Sequence, residues 1–196
     1  MMRTLFSFLL LFVLSDLSAS EDEVALEIVE ETCQHCHGLQ GESSDVIYPR
    51  LAGQNKKYII RQLNNFRSGE REGTMNDIAV NLTDPEIDAL ASYFSSQPVL
   101  SHTVRDKEFA AVGWYIFHRG NKYSKIPPCA SCHGEKGEGT ERIPRLAGQH
   151  KNYVSDQLTE FSERDPKRSD PIMHSIAIKL TEMEIEAVAN YVSGLE

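Results

Sequence analysis

The feature that most constrains this chain is a Cys-x-x-Cys-His motif that occurs twice. Segment 33–37 (CQHCH) recurs 96 residues later as segment 129–133 (CASCH). Further identical positions follow in the same order, namely PRLAGQ at 49–54 and 144–149, Tyr58/Tyr153, Gln62/Gln157, Leu63/Leu158, Phe66/Phe161 and Met75/Met173. The chain is therefore an internal duplication, with one copy in residues 21–97, a linker in residues 98–105 and the second copy in residues 106–196.

Two cysteines separated by two residues and followed at once by histidine are the attachment pattern of c-type haem. Thiols one helical turn apart can add to the two vinyl groups of one porphyrin, and the next histidine then lies under the iron as its proximal ligand. The sequence predicts two covalently bound haem c groups, attached through Cys33, Cys36, Cys129 and Cys132, with His37 and His133 as iron ligands.

Three other uses of paired cysteines fit less well. A thioredoxin-like dithiol requires a strand before the motif, and no strand pattern is present. A four-thiolate zinc site leaves the two duplicated histidines without a role. A disulfide that closes so short a loop stabilises little.

The second axial ligand is predicted from the duplication. Met75 and Met173 coincide between the copies, whereas Met183 has no counterpart, so the first two are predicted to be thioether ligands of the two irons. The remaining histidines are not duplicated, and we expect them to be surface or helix residues: His35, His102, His118, His150 and His174.

Each copy has the pattern of three helices and no alternating strand pattern, so the predicted fold is all-α. The first helix precedes the Cys pair, at about 23–33 and 106–119. The second follows the Gly-Gln turn that ends each PRLAGQ segment. The third begins at Thr83 or Thr181, each followed three residues later by glutamate as in a capping box. The methionine lies in a segment predicted to be a loop.

The first twenty residues have the layout of a secretory signal peptide. Arg3 precedes the apolar run 5–14 (LFSFLLLFVL), and Ser18 and Ser20 are placed as at a cleavage site. We expect cleavage after Ser20 and function in the periplasm, with an uncleaved membrane tether as the alternative. The formal net charge of −9 argues against a nucleic-acid partner.

Four features occur in both copies: the Cys-x-x-Cys-His motif, the PRLAGQ segment, and the patterns Tyr-x3-Gln-Leu-x2-Phe and Met-x2-Ile-Ala-x2-Leu. In these features the sequence resembles the di-haem cytochrome c4 family. The resemblance implies two tandem class I cytochrome c domains. It also implies that the Pro49 and Pro144 carbonyls accept a hydrogen bond from the ligand histidines, and that haem propionates lie near the domain interface. The candidates to bond those propionates are Arg50, Arg145, Gln54, Gln149, Tyr58 and Tyr153.

A haem with histidine and methionine ligands has no open position, so we expect an electron carrier and not an enzyme. The expected role is transfer from a cytochrome bc complex or a similar donor to a terminal oxidase, through transient contacts with redox proteins and membrane-bound respiratory complexes. The alternative is an electron-accepting cytochrome subunit of a periplasmic dehydrogenase. A di-haem peroxidase would need one open iron.

The charges are divided unevenly between the copies. Residues 21–96 hold 14 acidic and 6 basic side chains (net −8), whereas residues 97–196 hold 14 and 13 (net −1). A negative surround stabilises Fe(III), so we expect the N-terminal haem to have the lower potential. The resulting dipole is expected to orient docking.

Overall fold

The structure is a computed structural model, and it describes residues 22–100, 104, 106–163 and 170–196. The predicted signal peptide 1–20, part of the linker 98–105 and the segment 164–169 lie outside these residues. Within them the regular elements are helices, and the one extended pairing is an isolated antiparallel bridge between Asn121 and Ile126. The predicted all-α class is confirmed.

In the N-terminal half, the first helix leads directly into the Cys pair. Helix α1 covers residues 22–28 and continues through a π-helical turn, Val29–Cys33, into the short helix α2, Gln34–His37. The remaining helices of this half are α3 (Lys56–Ser68), α4 (Met75–Ala79) and α5 (Asp84–Ser96). Both cysteines and the following histidine therefore lie on one continuous helical segment.

In the C-terminal half, a loop separates the first helix from the Cys pair. Helix α6 (Lys107–Arg119) ends at Gly120, and residues 121–128 intervene before α7, Ala130–His133. The remaining helices are α8 (Lys151–Ser162), α9 (Pro171–Ala177) and α10 (Glu182–Ser193).

The methionine segments are helical, which corrects the prediction of a loop. Met75 is the first residue of α4, and Met173 is the third residue of α9. Helix α9 starts with Pro171, and the Asp170 side chain caps it by accepting a hydrogen bond from the Met173 amide at 3.0 Å. Helices this short carry too little periodic pattern to be detected from sequence.

The third helix of each half begins where predicted, with both hydrogen bonds of a capping box. Glu86 accepts from the Thr83 amide at 2.7 Å, and Glu184 accepts from the Thr181 amide at 2.9 Å. The predicted apolar stripes on these helices are buried, namely Ile87, Leu90, Ala91 and Phe94 in α5 and Ile185, Val188, Ala189 and Val192 in α10.

Each half has its own apolar core. In the C-terminal half α10 packs on α6 and α8, and in the N-terminal half α5 packs on α3. Gly113 of α6 makes the closest approach, because a β-carbon there would lie 2.0 Å from the Ala187 carbonyl oxygen of α10. In the part of the chain that the structure describes, no helix has the length and apolar character needed to span a bilayer.

Candidate functional site

The histidine after each Cys pair is buried and held in one orientation. His37 and His133 are 6% and 8% exposed. The Nδ1–H of His37 donates to the Pro49 carbonyl at 2.9 Å, and that of His133 donates to the Pro144 carbonyl at 3.1 Å. Burial lowers the pKa of both imidazoles, which favours the neutral form. A neutral ring that donates through Nδ1 presents the Nε2 lone pair to a metal.

The first cysteine of each pair lies at the edge of a core. Cys33 packs against the N-terminal core and Cys129 against the C-terminal core, and burial raises the pKa of each thiol to about 11. Cys36 is half-buried, as are Cys33 and Cys129, and Cys132 is exposed. None of the four cysteines forms a disulfide, so each half holds two cysteines and a neutral imidazole on one helical segment, the donor set that haem c requires.

The two methionines occupy equivalent, half-buried positions, and the residue after each ties it to the preceding helix. Asn76 Nδ2 donates to the Phe66 carbonyl at 2.5 Å. His174 Nδ1 donates to the Phe161 carbonyl, the equivalent group, at 2.7 Å. Two different side chains thus make the same link between the methionine segment and the end of α3 or α8.

The remaining histidines differ in their surroundings. His35 is exposed, and His102 lies outside the described residues. His118 is half-buried on α6 and contacts the Tyr191 hydroxyl through Nε2 at 2.9 Å. His150 departs from the prediction of a surface or helix residue, because it is 4% exposed and its Nε2 contacts the Ser43 carbonyl of the other half at 2.8 Å.

Two equivalent glutamines join the halves by reciprocal hydrogen bonds. The Gln54 amide accepts from the Arg145 backbone N–H at 2.8 Å and donates to the Arg145 carbonyl at 3.0 Å. The Gln149 amide makes the same two bonds, at the same distances, to the backbone of Arg50. Both glutamines are 7% exposed. The sequence marked these residues only as propionate candidates, because duplication identifies a position without identifying its partner.

Two arginines line a cleft between the halves. Arg50 Nη1 donates to the Leu100 and Gly148 carbonyls at 2.8 and 3.0 Å, while its Nε is buried with no partner among the described residues. Arg145 lines the same cleft and donates from Nε to the Ala147 carbonyl at 3.3 Å. An unpaired buried donor on one of two arginines that line the same cleft fits a carboxylate. The residues present therefore fit haem groups whose propionates reach this cleft.

Each half matches a cytochrome c family. Residues 118–196 match the family described as Cytochrome c, and residues 22–94 match the family described as Cytochrome C oxidase, cbb3-type, subunit III. The chain is 36% identical to cytochrome c4 of Pseudomonas aeruginosa over 201 residues, which covers 100% of both chains.

Two further proteins are similar along most of the chain. A thiosulfate dehydrogenase electron acceptor of Stutzerimonas stutzeri is 35% identical, over 83% of this chain and 78% of its own length. The crystal structure of reduced recombinant cytochrome c4 from Pseudomonas stutzeri superposes with a TM-score of 0.81 at 31% identity, over 90% of this chain and 98% of that one.

The reciprocal glutamine bonds generate a stability prediction. Gln54→Ala leaves the part-buried N–H and carbonyl of Arg145 without their side-chain partner, so we expect the haem-loaded protein to lose about 2 kcal/mol of unfolding free energy. Gln149→Ala is expected to lower the unfolding free energy by about the same amount, because it removes the partner of the equivalent groups of Arg50. Chemical denaturation monitored by circular dichroism measures both.

The matched control for this prediction is Gln40→Ala, which removes an exposed glutamine side chain within one half. We expect the control to change stability by less than about 0.5 kcal/mol. Equal stability of Gln54→Ala and the control would contradict the assignment of the interface to these amides.

Proposed function

Because this chain belongs to the cytochrome c4 family, and is therefore a di-haem electron-transfer protein with two covalently bound haem c groups, we propose that it carries electrons between respiratory complexes in the periplasm. The observation that carries this proposal is the occurrence, in both halves, of a buried histidine oriented by a proline carbonyl and preceded by two cysteines that form no disulfide.

In the proposed sites, the thiols of Cys33, Cys36, Cys129 and Cys132 hold the two porphyrins. His37 and Met75 are the proposed iron ligands in the N-terminal half, and His133 and Met173 in the C-terminal half. Pro49 and Pro144 orient the histidines through the hydrogen bonds at 2.9 and 3.1 Å. Constraining the ring in this way raises the basicity of the ligand nitrogen and fixes its direction.

The ligand set supports a carrier in preference to an oxidising enzyme. Haem, when bound, supplies an iron couple that accepts or releases one electron. With His37 and Met75, or His133 and Met173, both bound to the iron, there would be no open position for peroxide or oxygen. Thioether ligation also raises the potential, which suits a carrier that delivers electrons to a terminal oxidase.

The proposed route runs from a cytochrome bc complex or a similar donor to a haem-copper terminal oxidase. The match of residues 22–94 to a family named for an oxidase subunit supports an oxidase as acceptor. The apolar run 5–14 after Arg3 and the serines before residue 21 support export. Docking of such a carrier is expected to be transient, with a small interface.

A second candidate function has a specific observation in its favour. The relative from Stutzerimonas stutzeri is named as the electron acceptor of thiosulfate dehydrogenase, and it is 35% identical to this chain. This chain would then receive electrons from a periplasmic dehydrogenase, either as a subunit or as a separate acceptor.

Loss of either proposed methionine ligand is expected to open one iron. In Met75→Ala or Met173→Ala, the Met-to-iron charge-transfer band should fall by about half, one haem should bind added imidazole and its potential should drop. Met183→Ala is the matched control, because Met183 is 60% exposed and lies in the first turn of α10. An unchanged band in Met75→Ala or Met173→Ala, or a reduced band in Met183→Ala, would contradict the ligand assignment.

The charge asymmetry predicts the order of the two potentials. The N-terminal haem lies in the half with net charge −8, which stabilises Fe(III), so its midpoint potential is expected to be the lower. A redox titration with the haems resolved by NMR measures both values. The difference should narrow as salt is added, because surface charge is screened. A lower potential at the haem of His133 and Met173 would refute this explanation.

The two candidate routes differ in the stability of the complex. A mobile carrier should elute from a native periplasmic extract at the size of the free chain. A dehydrogenase subunit should instead co-elute with a larger chain that bears a flavin, molybdenum or a further haem. Size-exclusion chromatography followed by haem staining distinguishes them, and co-elution that persists at moderate salt would favour the second candidate.

A further inference from the structure

One face of helix α8, in the C-terminal half, contacts the N-terminal half. His150 occupies the N-cap position of the helix without a side-chain cap hydrogen bond. Tyr153 follows it by three residues and Gln157 follows Tyr153 by four, so the three side chains lie on one stripe. We call His150, Tyr153 and Gln157 the α8 stripe. Its polar atoms contact two different segments of the N-terminal half, and each of these segments bears a proposed iron ligand.

The first segment is the turn of residues 71–76, which includes Met75. Arg71 donates from Nη2 to Gln157 Oε1 at 2.8 Å and to the Tyr153 hydroxyl at 3.2 Å, both in the other half. Its Nη1 donates to Gln62 Oε1 at 2.6 Å within its own half. The guanidinium thus bridges α3 and α8 by its two terminal nitrogens.

Hydrogen bonds of the Asn76 side chain connect the Arg71 backbone to the residues around the methionine. Asn76 Nδ2 donates to the Arg71 carbonyl at 2.8 Å, and Asn76 Oδ1 accepts from the Gly73 amide at 2.7 Å. These bonds close the turn of residues 71–76 on itself. A displacement of Arg71 therefore moves Met75, which lies within that turn.

The second segment runs from His37 to Ser43. His150 Nε2 contacts the Ser43 carbonyl at 2.8 Å, and the Ser43 amide donates to the His37 carbonyl at 2.8 Å. Ser43 has φ of 40°, a conformation that costs energy for a residue with a side chain, and its hydroxyl lies 2.9 Å from the Asp45 carbonyl and 3.0 Å from the Tyr48 carbonyl. The equivalent residue in the other half is Gly139.

We propose that the α8 stripe positions both ligand-bearing segments of the N-terminal haem site, with Arg71 acting as the positioning residue for Met75. The inference deepens the proposed function, and it rests on His37 and Met75 being the iron ligands. Its consequence is that changes in the C-terminal half alter the ligation and potential of the N-terminal haem.

The shape of the Arg71 side chain is central to this inference. A planar guanidinium can bond Gln62 and Gln157 in two directions at once, and its carbon lies 4.5 Å from the centre of the Phe66 ring. A lysine ammonium keeps the charge and loses this fork. Arg71→Lys therefore separates positioning from a purely electrostatic effect on the iron.

The first experiment uses full-length, haem-loaded Arg71→Lys. We expect a weaker Met-to-iron charge-transfer band at the N-terminal haem, and capture of added imidazole by that haem increased by roughly tenfold, the factor for loss of one bond to a charged group. The C-terminal haem should keep its band and its potential. An unchanged band and unchanged imidazole capture would overturn the proposal. Only the positive charge of residue 71, which lysine keeps, could then affect the N-terminal haem.

The second experiment changes the α8 stripe itself. Gln157→Ala, a substitution in the C-terminal half, should lower the potential of the N-terminal haem more than that of the C-terminal haem. His150→Asn, which installs the residue found at the equivalent Asn55, should shift the NMR signals of the His37 ring. Changes of potential or NMR signals that are confined to the C-terminal haem would overturn the proposal. If Arg71→Lys does not fold, Gln157→Ala still provides the test.

The matched control is Lys57→Ala. Lys57 Nζ and Glu141 Oε2 form an exposed ion pair between the halves at 2.5 Å, away from the α8 stripe. This variant should leave both bands unchanged. Because the charge it removes is exposed and screened, it should lower the potential of the N-terminal haem by less than Gln157→Ala does. An effect equal to that of Gln157→Ala would overturn the specific role of the stripe. Failure of Met75→Ala to lose its band would instead contradict the proposed ligand set.

Discussion

The hydrogen bond from each buried histidine to a proline carbonyl is the interaction on which the rest of this structure depends. It fixes the orientation of a ring whose burial favours the neutral form, so that Nε2 stays free, and it requires the loop after the Cys pair to return to the histidine. In both halves that loop is closed by a further bond to the histidine carbonyl, from the Ser43 amide at 2.8 Å and from the Gly139 amide at 2.7 Å. The backbone of each loop thus orients one histidine ring.

The six-residue PRLAGQ segment links each site to the interface between the halves. Its proline carbonyl holds the histidine of its own half, while the backbone of the next residue, Arg50 or Arg145, pairs with a glutamine of the other half. The last residue of the segment is that glutamine, Gln54 or Gln149. Ring orientation and docking of the halves are therefore coupled through adjacent residues, which gives a physical reason for this segment to be repeated without change.

The sequence predicted the elements that carry a strong local signal. The third helices have a capping box and a stripe of apolar residues, and both are present at the positions expected. The short helices at Met75 and Met173 were missed, because five to seven residues carry little periodicity and the second depends on the Asp170 cap. The contacts of His150 and Arg71 were also missed, since they join residues 82 to 107 positions apart in the chain. Such pairs leave no local pattern.

The two copies have diverged where they meet. Asn55 and His150 are equivalent by the duplication, yet Asn55 Nδ2 donates to the Ile143 carbonyl at 3.0 Å, whereas His150 contacts the Ser43 carbonyl. Ser43 takes a positive φ where its counterpart is glycine. A perfect twofold repeat would give two equivalent iron sites with no preferred direction of transfer. Unequal contacts across the interface, together with the unequal charge of the halves, make the two sites distinct, and a difference in potential gives electron exchange a direction.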